Sequence, residues 1–235
     1  MQGSQFSVTL KIKLTYMIHI VRYIQYFRKH IGMEEYGMKN IITIQHTQAV
    51  HHNNGMVGSW TDWELTELGK EYAENIGRKL SIELEGQPYK IYSSDLIRAR
   101  QTAEPLARYM GIEIEYLEKL REHNLGEAVG KTKQWSKENI LPVKSFDDLS
   151  FKGAETWREF WTRVSDLFQD IVDDEAENII LVSHGGTLAV WQHIWLCSDV
   201  QDCRFAPPGS VSFMHLNNNG ERTINRLNDT SYMEK

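Results

Sequence analysis

Asn178-Ile179-Ile180-Leu181-Val182-Ser183-His184-Gly185-Gly186 is the stretch on which the fold turns. Ile179 to Val182 is an unbroken apolar run that suits a strand buried on both faces. It ends in the polar pair Ser183-His184 and two glycines, and residues 187–196 then read as a helix. A buried strand that delivers a polar tip into a helix is the building unit of α/β sheets.

The same alternation extends outward in both directions. Ile41-Ile42-Thr43-Ile44 is a second short, β-branched run, and it too stops at polar residues, Gln45-His46. Residues 66–80 read as a helix, with Thr66 as N-cap and Leu68, Tyr72, Ile76 and Leu80 at helical spacing. Tyr89-Lys90-Ile91-Tyr92 reads as a strand and 96–109 as a helix, while Ile112 to Tyr116 alternates like a half-exposed strand. Residues 119–153 are less regular. From Glu155 to Val172, Trp157, Phe160, Trp161, Val164, Leu167 and Phe168 form one apolar stripe, which is helix core rather than a cofactor box. Residues 211–216 and 222–227 make a late hairpin around Asn217-Asn218-Asn219-Gly220. The pattern predicts a three-layer α/β domain over 38–235, a mainly parallel sheet flanked by helices. Such sheets bind ligands at the carboxyl ends of their strands. Three polar clusters fall there: Gln45-His46, Ser93 to Arg98, and Ser183-His184.

The 235 residues are enough for one such domain with a sizeable core. Net charge is −6, which argues against a broad nucleic-acid surface. Residues 1–37 carry +3 and the remainder −9, so an anionic substrate would need a local positive pocket on an acidic body. Within the first 37 residues, Leu14 to Phe27 is apolar but is cut by His19, Arg22 and Gln25, too short and polar to span a bilayer. Ile18, Val21, Ile24, Phe27 and Ile31 have a loose helical period, so residues 14–31 offer a membrane or partner contact as the alternative to a poorly ordered extension. The second is the expectation adopted. Cys197 and Cys203 fit no zinc or redox spacing and are expected to be unpaired thiols in a reducing, cytoplasmic compartment.

Four separated segments carry a resemblance. They are Ile44-Gln45-His46-Thr47-Gln48 with Gly58 to Asp62 and Leu65 to Gly69; Tyr92 to Ala103; Leu120-Arg121-Glu122 with Gly126 and Gly130; and Val182 to Gly186. In this order they resemble the histidine phosphatase superfamily, which includes the cofactor-dependent phosphoglycerate mutases. The resemblance implies a phosphoglycerate mutase-like fold and a phosphohistidine intermediate, with no metal and no organic cofactor. It implies that His46 attacks phosphorus and His184 donates to the phosphoryl oxygens. Arg98 clamps those oxygens, and Glu122 protonates the leaving oxygen and later activates water. Gln45, Thr47, His52 and Gly185 complete the implied substrate set. The chemistry suits these residue types. A neutral imidazole is nucleophilic, and charge spread over phosphoryl oxygens calls for cations and fixed donors.

Gln45 departs from the Arg that the resemblance leads one to expect before the nucleophile. Exchanging a charged fork for an amide would weaken transition-state binding by roughly 1.5–3 kcal/mol, or about 10- to 150-fold. His52, and less strongly His51, are candidates to compensate. Thr47 stands where a glycine is expected, which would bring a hydroxyl near the phosphate. His123 either faces the pocket or is structural, while His193 and His215 read as structural and Arg100 as a helix-surface residue. No G-x-x-x-x-G-K-[ST] loop is present, so a P-loop is not supported. The expected activity is a metal-independent phosphomonoesterase acting on a small phosphorylated metabolite. The alternatives are a weakly active or non-catalytic phospho-ligand binder and a phosphoglycerate-type mutase.

Overall fold

A computed structural model describes residues 37–197 and 206–235. The expected extension over 1–37 and Cys203 lie outside the described residues, Gly37 excepted. The first strand, β1 (Lys39–Gln45), is followed by a one-turn helix α1 (Val50–Asn53) and then α2 (Glu67–Glu83). Next come β2 (Lys90–Ser93), α3 (Ile97–Met110), β3 (Ile114–Tyr116) and α4 (Lys133–Asn139). The chain continues through α5 (Trp157–Val172), β4 (Asn178–Ser183), α6 (Gly185–Leu196) and the hairpin β5 (Val211–Leu216) and β6 (Arg222–Asp229).

The six strands form one sheet in the order β3-β2-β4-β1-β5-β6. The pairs β1–β4, β2–β4 and β2–β3 are parallel, whereas β5 and β6 join antiparallel at one edge. Side-chain alternation divides the core into two layers. Ile41, Ile179 and Leu181 pack with Phe160, Leu167, Trp191 and Trp195 of α5 and α6. Ile42, Ile44, Ile180 and Val182 pack with Ile76, Leu80 and Leu106 of α2 and α3. Both faces of β1 and β4 are therefore covered, which is why their sequences are continuously apolar rather than alternating. No helix among the described residues is long and apolar enough to cross a membrane.

Local sequence chemistry sets the helix starts. The Thr66 hydroxyl accepts the Gly69 amide at α2, and Thr156 with Glu159 forms a capping box at α5. The parallel register brings Gln45 level with Ser183 and Ser93 level with Val182, so β1, β2 and β4 end on one line.

Helices α2 and α3 cross at Gly77. A Cβ placed there would lie 2.7 Å from the Leu106 amide nitrogen and 2.9 Å from the Pro105 carbonyl carbon. Backbone cannot retreat as a side chain can. Gly77→Val is therefore expected to cost about 1–3 kcal/mol and to lower Tm by several degrees. A thermal melt equal to the parent's would show that the two helices do not meet here.

Candidate active site

Three of the expected residues sit just past those aligned strand ends. His46 follows β1, its amide bonded to the Ser183 carbonyl at 2.9 Å. His184 follows β4 and caps α6, and Arg98 stands one residue into α3 after β2. All three are buried.

The His46 ring is oriented by its own backbone. Nδ1 lies 2.8 Å from the Thr47 carbonyl, which can only accept, so the proton sits on Nδ1 and Nε2 carries the lone pair. Arg98 Nε donates to that Nε2 at 3.3 Å. Burial, then the Arg98 charge, holds the His46 pKa well below its ordinary value, so the ring is neutral. Arg98 also donates through Nη1 to the Thr61 carbonyl and through Nη2 to the Ser59 carbonyl, each at 2.7 Å. One N–H on each terminal nitrogen is left over. Burial pushes the Arg98 pKa down to about 10, partly offset by Glu122 and Asp62, and it stays a cation at neutral pH.

His184 meets His46 edge-on, with ring centroids 5.1 Å apart. Its Nε2 is 2.8 Å from the Ser94 hydroxyl, and its buried Nδ1 has no partner. If Ser94 donates, Nδ1–H becomes a free donor.

Glu122 enters from the irregular region. Its Oε1 accepts the His123 amide at 2.8 Å and its Oε2 the Gly186 amide at 2.9 Å. The carbonyls around it are nearly all taken. Arg163 donates to those of Lys119, Arg121 and Glu122, Ser183 to that of Leu120, and Trp60 Nε1 to that of Glu122 at 2.6 Å. Arg163 in turn is paired with Glu155. The segment carrying the carboxylate is thus pinned on both sides despite having little regular structure.

The remaining candidates divide. The His52 ring stacks on His46, 5.5 Å between centroids and 8° from parallel, and His51 lies 5.9 Å from His46. The Ala49 amide donates to His52 Nδ1 at 3.1 Å, so His52 carries its proton on Nε2 and is a donor. Gln45 is buried and its Oε1 has no partner. Turning the amide over would put N–H there instead. The Thr47 hydroxyl donates to the Gly69 carbonyl at 2.7 Å. A fully buried hydroxyl must be satisfied, and the start of α2 is the acceptor at hand. Gly185 opens α6, while it is the Gly186 amide that meets the carboxylate. His123 turns away, stacked on Phe160 with its Nε2 2.9 Å from the Glu155 carbonyl. His215 bonds Asn40, and Arg100 lies over the Tyr116 ring. Gly186, Ser59, Trp60 and Ser94 lie in the segments that carry the resemblance but have no role assigned from the sequence, and Arg163 lies outside those segments.

One nitrogen each from His46, His51 and His52 lies within 4.8 Å of the others, a spacing that would admit a metal ion. The protonation pattern opposes it. His52 offers a proton on Nε2 rather than a lone pair, and the Arg98 cation beside the cluster repels a metal ion. Donors clustered beside a cation fit an anion.

A match to the family model of the histidine phosphatase superfamily (branch 1) extends over residues 41–230. The chain belongs to this superfamily. It is 31% identical over 161 residues to "Putative phosphoserine phosphatase 2" of Hydrogenobacter thermophilus, covering 64% of this chain and 75% of that one. It is 27% identical over 160 residues to a 2,3-bisphosphoglycerate-dependent phosphoglycerate mutase of Nitrobacter winogradskyi, covering 63% and 76%. Among solved structures, phosphoglycerate mutase from Bacillus anthracis str. Sterne superposes with a TM-score of 0.71 at 22% identity, over 85% of this chain and 96% of that one. That likeness confirms the three-layer, phosphoglycerate mutase-like fold.

The depressed histidines give this superfamily member a pH signature. Burial first, and then neighbouring positive charge, lowers the His51 pKa to about 3 and the His52 pKa to about 4. In the unfolded chain both titrate near 6.5. Below pH 6.5 the unfolded state binds more protons than the folded one, so stability is lost as pH falls from about 6.5 towards 4. Tm is expected to drop across that window. The drop should be shallower in a His51→Gln/His52→Gln variant. Equal slopes in the two proteins would show that these rings do not carry the effect.

Proposed function

We propose that the protein is a metal-independent phosphomonoesterase acting on a small phosphorylated metabolite through a phosphohistidine on His46. The observation that carries this is the juxtaposition of a neutral His46 with its lone pair on Nε2, the buried Arg98 bonded to that nitrogen, and the Glu122 carboxyl close enough to act on the Arg98 charge. The superfamily, and a relative named as a phosphatase, support a hydrolase.

In the first half-reaction the Nε2 lone pair attacks phosphorus and the P–O ester bond breaks. The Glu122 carboxyl gives its proton to the departing oxygen. Arg98, His184 Nδ1–H, His52 Nε2–H and the Gln45 amide face the phosphoryl oxygens, so the chain itself supplies the neutralising donors. Glu122 as carboxylate then takes a proton from water. The water oxygen attacks phosphorus, the P–N bond breaks, and its electron pair returns to Nε2 as phosphate leaves.

Hydrolysis of an aryl phosphate in excess chelator tests the proposal. His46→Ala should abolish turnover, and Glu122→Gln should lower kcat by about 10²- to 10⁴-fold on alkyl phosphates. Activity that survives His46→Ala, or that chelator removes from the parent, would sink the reading. Release of inorganic phosphate separates it from the mutase alternative, whose relatives would predict isomer exchange of a phosphoglycerate without release.

Two further substitutions probe the cradle. A Cβ at Gly186 would fall 2.2 Å from Glu122 Oε1. Gly186→Ala should therefore reproduce part of the Glu122→Gln loss, about 10- to 100-fold in kcat. The unpartnered Gln45 amide implies that no internal bond would be lost on replacing it. Gln45→Arg should raise kcat/KM by about tenfold or more, and a fall instead would mean that the pocket is organised around the amide.

A further inference from the structure

Ser59 sits in an unusual backbone conformation, with φ +47° in the left-handed region that side chains other than glycine rarely adopt. It is also 6% exposed. Glycine would occupy this turn without steric cost, so the retained side chain calls for a reason. Its hydroxyl supplies one. Oγ donates to the His123 carbonyl at 2.7 Å and accepts the Leu125 amide at 2.9 Å, so it stands in for a missing strand partner on both sides of Asn124. The carbonyl of the same residue accepts Arg98 Nη2 at 2.7 Å. One residue thus holds the phosphate-clamping guanidinium with its backbone and the segment carrying Glu122 with its side chain. Strain kept at such a point is characteristic of functional sites.

We propose that Ser59 is a positioning residue that fixes the Glu122 carboxyl relative to the Arg98 guanidinium. The proposal rests on the hydrolase reading above and adds to it a coupling between leaving-group protonation and oxygen clamping. In the transfer of the phosphoryl group to His46, Arg98 alone suffices where the leaving group needs no proton. The distance between the two groups matters only where it does.

The test compares an aryl phosphate, whose phenolate departs readily, with an alkyl phosphate, whose alkoxide must be protonated. Ser59→Ala keeps the Cβ and the strained backbone, whereas Ser59→Gly relieves the strain. Both lose the hydroxyl. In both, the single-turnover rate of alcohol release from the alkyl ester is expected to fall about 10- to 100-fold, while single-turnover phenol release from the aryl ester, which precedes the water-activating step, and both substrate affinities stay within about threefold of the parent. In the Glu122→Gln background, Ser59→Ala should remove less than about twofold more, because the group it positions is already gone. An equal loss on both esters, a parent-like Ser59→Gly, or a fully multiplicative double variant overturns the proposal. If the parent turns over neither ester, it is the hydrolase reading that fails. The parent, Ser59→Ala, Glu122→Gln and the double variant are then compared by calorimetric titration with inorganic phosphate: non-additive effects of the two substitutions on affinity support the linkage, and additive ones overturn it.

Discussion

A guanidinium with almost no access to solvent organises this structure. Removing a cation from water is costly unless it is paired and hydrogen-bonded, and Arg98 has no carboxylate bonded to it among the described residues. Two backbone carbonyls, from Ser59 and Thr61, and the lone pair of His46 take its place. Neutral acceptors compensate a buried charge only partly. The cation therefore remains in electrostatic debt until an anion arrives, and its two unused N–H groups supply the hydrogen bonds with which to bind one. The loop over residues 58–61 owes its shape to this arrangement, because both carbonyls must turn inward at once.

The carboxylate opposite is held on different terms. Glu122 accepts two backbone amides, one from its own successor and one from the first turn of α6. Helix amides in that position have no carbonyl partner within the helix and favour negative charge. Because α6 begins immediately after His184, the element that presents the second imidazole also anchors the acid. Strand register does the rest: β1, β2 and β4 end level, so residues far apart in sequence meet without any long excursion of the chain.

That division explains what could be read in advance. The layers were legible because Ile41–Ile44 and Ile179–Val182 are apolar throughout, and only a sheet covered on both faces makes that pattern. His46, Arg98 and His184 were legible because each lies at the end of such a run or a few residues past it. Glu122 was legible only through resemblance, since nothing periodic surrounds it. Ser59 and Trp60 fall within the Gly58 to Asp62 segment that carries the resemblance, but their roles, like that of Arg163, had no signal, because their work is to satisfy backbone carbonyls in loops, and loop hydrogen bonding has no sequence period. The internal bond of the Thr47 hydroxyl is of the same kind. A hydroxyl beside the nucleophile looks like a ligand contact until the start of α2 folds against it and supplies an acceptor.

The composition posed a difficulty, an anion pocket on a body carrying a net −9 outside the first 37 residues, and the pocket resolves it without accumulating cations. Packing several permanent charges beside Arg98 would raise the desolvation cost with each one added. Four imidazoles stand there instead, all held neutral by burial and by Arg98. Neutral rings cost less to bury, yet each still offers a donor or a lone pair. An entering phosphoryl dianion opposes the terms that depress them, so the rings would regain proton affinity only when occupied. In the proposed reading this bears on Gln45 as well. An amide at the tip of β1 need not reproduce the charge of an arginine if the neighbouring imidazoles become more positive as the substrate arrives.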